Sequence, residues 1–291
     1  MKKISFLDNF WLKIIAIITM TIDHIGVFLY ANGMSVNYET IYSILRIVGR
    51  ISMPIFVFLL IEGVRHSKNL DKYLLRLGIF ALTVYIPITI YDNIINIFQF
   101  SQLKNIFVTL FLLVLSYRLL NFKNKRLHIL VIIPILYLVA GGLYEFGVLD
   151  MSLKIKINID GLMPQYSIFA AFLFFYRLLF DKLYRRRIFK IFNKDQSLVL
   201  AYKTSEDYLQ TEKLIYITGI IILSLASYLF SYLTDGDYSL YLTMETYSII
   251  AFLPILLYNG KLGYYNKFIK YGFYAYYPIH IALLALIFML V

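Results

Sequence analysis

The sequence predicts an all-α integral membrane protein: one polytopic bundle of about nine transmembrane helices (eight to ten). Three observations predict it. Sixty per cent of the residues are hydrophobic and only 15% are charged, where a soluble domain is about half apolar and a quarter charged. Mean hydropathy is +0.73. The apolar residues also fall in blocks of about twenty, the length that spans a bilayer core as a helix. Sustained period-2 alternation is missing, which argues against a β-barrel.

Taken in order, the predicted segments run near 10–31, 41–63, 74–93, 104–120, 127–144, 162–181, 214–234, 240–258 and 271–291. The first has a basic start, Lys2 and Lys3. Its apolar run is too long for a cleavable signal, and no small-residue cleavage site follows. Between the sixth and seventh segments lies the longest connection, 181–213, expected as a cytoplasmic loop. Its basic first half, with interleaved Ile and Phe, reads either as an interfacial amphipathic helix or as a solvated linker. With no internal repeat and no second soluble domain, residues 1–291 are expected to form one domain. The chain has no cysteine, so disulfide and thiol chemistry are excluded.

The formal charge of +11 does not point to nucleic acid. With nine helices and the N-terminus inside, all but five of the 28 Lys and Arg fall on inner segments. The five are Arg46, Arg50, Lys104, Lys154 and Lys156. That bias is the positive-inside rule, giving N-terminus in and C-terminus out, with attraction to anionic membrane lipid as a lesser effect.

Charged side chains at mid-membrane are costly and normally face a bundle interior or a wet cavity. In "IAIITMTIDHIGVFLY" (15–30), Asp23 and His24 lie roughly 18 Å from the inner end of the first helix at 1.5 Å per residue. In "YSILRIVGRISMPIF", Arg46 and Arg50 lie roughly 22 and 16 Å from the inner side. Being four apart on one predicted helix, they are expected to share a face. In "KYGFYAYYPIHIALL", His280 lies roughly 14 Å above the inner end of the last helix. Three helices thus bring an acid, two imidazoles and two guanidiniums to about one level.

The residue types suggest chemistry. Histidine takes and gives protons near neutral pH, Asp23 can orient an imidazole, and an arginine can steady an oxyanion in a poorly hydrated site. Tyr276 and Tyr277 stand four and three residues before His280, in reach of the same cavity. A purely structural reading stands beside this, in which Asp23 pairs with Arg46 or Arg50 to lock the first two helices and His280 is a satisfied interior histidine. A second cluster, Glu62, Arg65, His66, Lys68, Asn69, Lys72 and Arg76, gathers at the inner mouth. It reads as a topology signal or as a docking site for an anionic cytosolic ligand. The four histidines include no pair at the spacing of a helical zinc motif, so no metal site is expected. No phosphate-cradling glycine loop is seen.

The stretches "LKIIAIITMTIDHIG", "LRIVGRISMPIFVFLLIEGVRHSKNLDKYLLRL", "KNIFVTLFLLVL", "DGLMPQYSIFAAFLFFY" and "YAYYPIH" resemble, in order, the motifs of the TraX family. The likeness is strongest over 12–80 and 271–285. It implies N-terminal acetylation of a pilin-type subunit and a distant relation to integral-membrane acyltransferases of the acyltransferase type 3 kind. Carried onto this sequence, it points to Asp23, His24, Arg46, Gly49, Arg50, Pro54, Glu62, Gly63, His66, Asn69, Tyr73, Arg76, Asn105, Thr109, Tyr277, Pro278 and His280.

The resulting expectation is an enzyme of the bacterial cytoplasmic membrane. It would move an acyl group from acetyl-CoA or another acyl-CoA to an amine or hydroxyl of a peptide, glycan or lipid acceptor. His24, Asp23, Arg46, Arg50 and His280 would be catalytic. Glu62, Arg65, His66, Lys68, Asn69 and Arg76 would hold the acyl-CoA, and Tyr277, Asn105 and Thr109 would meet substrate. The alternatives are a proton-coupled transporter or lipid-linked flippase using the same charged layer, and a non-enzymatic factor that binds a partner helix or lipid.

Overall fold

The computed structural model describes residues 5–31, 39–94, 105–146, 162–233 and 243–289. These are helical throughout apart from short connections, and the only strand-like pairings among them are two isolated bridges. In chain order the helices are α1 (Asn9–Ala31), α2 (Glu39–Gly49), α3 (Ser52–His66), α4 (Leu70–Ile94), α5 (Ile106–Leu120), α6 (Ile132–Glu145), α7 (Ser167–Ile191), α8 (Gln196–Lys203), α9 (Glu206–Leu233), α10 (Phe252–Leu256) and α11 (Lys267–Met289).

Where they are described, the predicted apolar segments lie mainly on helix. Among the described residues, five stretches are long and apolar enough to cross a membrane: Asn9–Leu29, Thr40–His66, Lys125–Glu145, Glu206–Leu233 and Lys267–Phe288. Two further apolar helices, Ile106–Leu120 and Thr243–Leu256, are shorter.

Two expectations change. The second predicted helix is broken: α2 ends at Gly49, Arg50 and Ile51 form a turn, and α3 starts at Ser52 with Pro54 in its first turn. Proline is tolerated there because the first N–H groups of a helix have no intrahelical acceptor. The connection at 181–213, whose first half reads as a helix or a linker, is mostly helix through both halves. α7 continues to Ile191, α8 follows an Asp195 cap whose carboxylate accepts from the Ser197 and Leu198 N–H groups, and α9 opens at Glu206. Its charges mislead because they lie outside a small core of Ile188, Val199 and Tyr208, to which Tyr184, Phe192 and Tyr202 add.

The chain divides into two compact units. The first comprises Met1–Met20, Arg50–Leu59 and Phe172–Tyr265; the second comprises Thr21–Gly49, Leu60–Ala171 and Asn266–Val291.

In the first unit, residues 5–9 are stitched to the segment after α10. Leu7 N–H donates to Leu257 O, Asn259 N–H donates to Leu7 O, and Asn9 N–H donates to Lys261 O. The buried Lys213 ammonium donates to Leu256 O, Tyr258 O and Ser5 Oγ at 2.7–3.0 Å. It thereby satisfies carbonyls that the end of α10 leaves without helical partners. Tyr216 donates to Pro54 O at 2.7 Å. Arg177 lies 3.3 Å from both Asp181 and Glu212, while Arg185 holds the other Asp181 oxygen at 2.8 Å.

In the second unit α4 packs on α5 and α11. Phe80 stacks on Tyr274 with centroids 4.5 Å apart, and Phe107 meets Tyr277 edge-on at 5.3 Å. Gly141 and Gly142 of α6 admit Pro164 and Ile168 where a side chain would collide. Glu145 accepts from the Tyr166 and Ser167 N–H groups at the start of α7.

Candidate functional site

α1 and α11 carry the centre of the site. Burying imidazole without a hydrogen-bond partner is costly, and here two histidines solve that for each other. His24 Nδ1 lies 2.6 Å from His280 Nε2, and both side chains are buried. The rings are within 8° of parallel, with centroids 4.9 Å apart. Since the centroid separation exceeds the nitrogen separation by about a ring width, the rings lie edge to edge in nearly one plane, as an N–H···N bond requires.

Neighbours fix which nitrogen carries which proton. His280 Nδ1 is 2.9 Å from Tyr276 O. A carbonyl only accepts, so Nδ1 of His280 is the protonated nitrogen. With both rings neutral, His280 Nε2 then offers a lone pair, and His24 Nδ1 donates to it. His24 Nε2 is left as the unprotonated, basic nitrogen. This order follows from the hydrogen-bond chain.

Aromatic groups hold the pair. The Tyr276 ring stacks on His280 at 5.0 Å and its hydroxyl lies 2.8 Å from Thr21 Oγ1. Tyr277 meets both imidazoles edge-on, at 5.8 and 5.4 Å. Pro278, which has no backbone N–H to donate, lies within α11.

The residue before His24 does different work. Asp23 Oδ2 accepts from Arg46 Nη1 at 2.7 Å, so Asp23 does not orient the imidazole; His280 does. Asp23 Oδ1 and Arg46 Nε are buried without hydrogen-bond partners among the described residues. An open donor on a charged guanidinium is a group that can meet an oxyanion.

Arg50 does not continue the helix that carries Arg46. The break after Gly49 removes the shared helical face, and Arg50 lies in the first unit, where its Nη1 is 2.8 Å from Glu245 Oε1. Glu245 escaped the sequence reading although it signalled itself as Asp23 did, being a lone acid in the apolar run "LTMETYSII".

The inner-mouth residues stay together in the second unit. Glu62 is buried, accepts from Arg65 at 3.3 Å, and lies 3.6 Å from the exposed His66 imidazole. Tyr73 packs on Gly63, and the Arg76 guanidinium lies 5.6 Å from the Tyr73 ring centroid with Nε buried and without a hydrogen-bond partner. Lys68 is exposed, and Asn69 Oδ1 caps α4 through the Lys72 N–H at 2.9 Å.

Asn105 and Thr109 are placed in the packing. Asn105 caps α5 through the Phe107 N–H and donates to Ala81 O at 2.8 Å. Thr109 donates to Gln165 O at 2.7 Å. These groups are fully buried and engaged with backbone, which fixes α5. Lys104, Lys154, Lys156 and Asp160 lie outside the described residues. No group of three or more metal-ligating side chains occurs among the described residues.

A family model described as TraX protein matches residues 9–176, more than half of the chain. The chain is 38% identical over 125 residues to a protein of Dichelobacter nodosus described as "Probable fimbrial assembly protein FimC, serogroup H1", covering 41% of this chain and 48% of that one. It is 32% identical over 162 residues to an uncharacterized protein of Rickettsia prowazekii, covering 54% and 55%. The chain thus spans about half the length of the curated relatives it matches. No solved structure matches.

Proposed function

Since this chain belongs to the TraX family, we propose that it is an acyl-CoA-dependent acyltransferase of the bacterial cytoplasmic membrane, with its N-terminus inside as the charge bias directs. The observation that carries the reading is the buried His24–His280 pair, whose hydrogen-bond order leaves a basic nitrogen on His24. A neutral imidazole with a free lone pair is suited to general-base work at physiological pH.

The step is direct transfer. The acceptor amine or hydroxyl attacks the thioester carbonyl while its proton passes to His24 Nε2. The Nδ1 proton of His24 shifts toward His280 Nε2, so the charge spreads over two rings. Arg46, anchored by Asp23, supplies N–H donation to the oxyanion. Collapse breaks the carbon–sulfur bond, the new acyl–nitrogen or acyl–oxygen bond remains, and the leaving thiolate takes back the proton as free thiol.

The acyl-CoA, as co-substrate, meets the inner-mouth cations. Arg65, Lys68 and Arg76 suit its phosphates, with Glu62 and His66 ordering Arg65. The Dichelobacter relative's name as a fimbrial assembly protein favours the N-terminus of a surface-fibre subunit among the peptide, glycan and lipid acceptors.

Acetyl-CoA turnover by protein in nanodiscs, read as thiol release with and without cell-envelope extract, tests this. Release that needs the extract and vanishes in His24→Ala is the expected result. A chain that neither binds nor consumes acyl-CoA overturns it and favours transport across the same charged layer.

A further inference from the structure

The helix α7 shows two opposed faces beyond its apolar start. Arg177, Asp181, Tyr184 and Ile188 follow helical spacing and are wholly or partly buried. This inner stripe carries the Arg177–Asp181–Glu212 ion pairs, the Tyr184–Tyr202 hydrogen bond at 2.9 Å and the small core against α8 and α9. The outer stripe is Leu179, Lys182, Leu183, Arg186 and Lys190, every one exposed. Its residues are spaced i, i+3, i+4, i+7 and i+11, so they line one side of a helix.

The outer stripe is graded. Its first turn mixes Leu179, Lys182 and Leu183, and beyond it the stripe holds only the cations Arg186 and Lys190, with no carboxylate in it. Asp181, the nearest acid in sequence, is buried and held by Arg177 and Arg185. From Leu179 to Lys190 the helix rises about 16 Å, more than the several ångströms of one headgroup layer. Long cationic side chains can lay their stems along hydrocarbon and place their charges at the phosphates.

We infer that the outer stripe of α7, Leu179–Lys182–Leu183–Arg186–Lys190, is a binding surface for anionic phospholipid headgroups, with the two leucines at the acyl boundary and the three cations on lipid phosphates. The inner stripe makes the surface rigid, because its own contacts fix the rotation of α7. The inference stands apart from acyl transfer and does not need it.

The test uses the whole chain reconstituted in phosphatidylcholine bilayers, with spin-labelled phosphatidylglycerol or phosphatidylcholine reporting protein-bound lipid. Phosphatidylglycerol should be preferred, less so at high salt. The Lys182→Gln/Arg186→Gln/Lys190→Gln variant should lose that preference, by up to about fivefold for each cation. A matched variant in the exposed residues Lys123, Lys125 and Arg126 should keep it. Equal loss in both variants, or no preference in the parent, overturns the site. As the chain has no cysteine, Leu183→Cys offers a unique label position. A nitroxide there should be open to oxygen and shielded from a water-soluble nickel complex. Full exposure to the nickel complex would place the stripe in water and also refute the inference.

Discussion

Gly49 packs so closely on Asp23 that a methyl group on its α-carbon would overlap the carboxylate. The last residue of α2 therefore sets the position of the acid that anchors Arg46. Gly49→Ala should destabilise by about 1–3 kcal/mol, as overpacking does, and should lower thiol release further by displacing Arg46. A melting temperature and turnover both unchanged in Gly49→Ala would show that Asp23 has room to move.

The hydrogen-bond order of the two histidines assigns them unequal parts. His24→Ala should cut turnover by ~10²–10⁴, the usual worth of a general base. His280→Ala should cut it less, because His24 keeps its lone pair and loses only the ring that orients it. If His280→Ala proved the more damaging, the base would be His280 and the proton order reversed.

The buried pair of Arg50 and Glu245 should matter for stability. Glu245→Gln leaves the arginine charge poorly compensated, at a cost of about 3–5 kcal/mol. Replacing both by leucine should cost less than Glu245→Gln alone, since paired loss leaves no buried charge. Unfolding midpoints in detergent would decide this, and equal losses would mean that the pair is not desolvated.

Asp71 accepts from Arg118 at 2.6 and 3.2 Å, and that hydrogen bond holds its carboxyl below the ordinary carboxylate range. A folded pKa lower than the unfolded one adds stability that is complete above the unfolded value and lost as pH falls through the folded one. Arg118→Gln should remove this part of the acid sensitivity while leaving neutral-pH behaviour nearly unchanged, the pair being exposed. An acid melting profile identical in parent and variant would refute it.

Apolar periodicity made the helices legible, and the cost of burying charge singled out Asp23, His24 and His280. What those rules could not see was partnership. Arg46 and Arg50 looked like one face because an uninterrupted apolar run hides a turn at Arg50 and Ile51. Arg50 finds Glu245 almost two hundred residues away, which no local pattern encodes. The backbone hydrogen bonds of Asn105 and Thr109, the common fate of a buried amide or hydroxyl, were likewise not legible. In 181–213, charge density left helix and linker both open for the first half, where Tyr184 and Ile188 join Val199 and Tyr208 in a small core.

The pairing of His24 with His280 sets a timetable for synthesis. Asp23 meets Arg46 only 23 positions later, so that ion pair can form as soon as two helices have emerged. His24 must await a residue 256 positions downstream, about 10–50 s at ~5–20 residues per second. In the first unit, Leu7 likewise waits for Leu257 and Asn259. A nascent chain stalled before α11 would thus hold its ion pair with the His24 imidazole still unmatched.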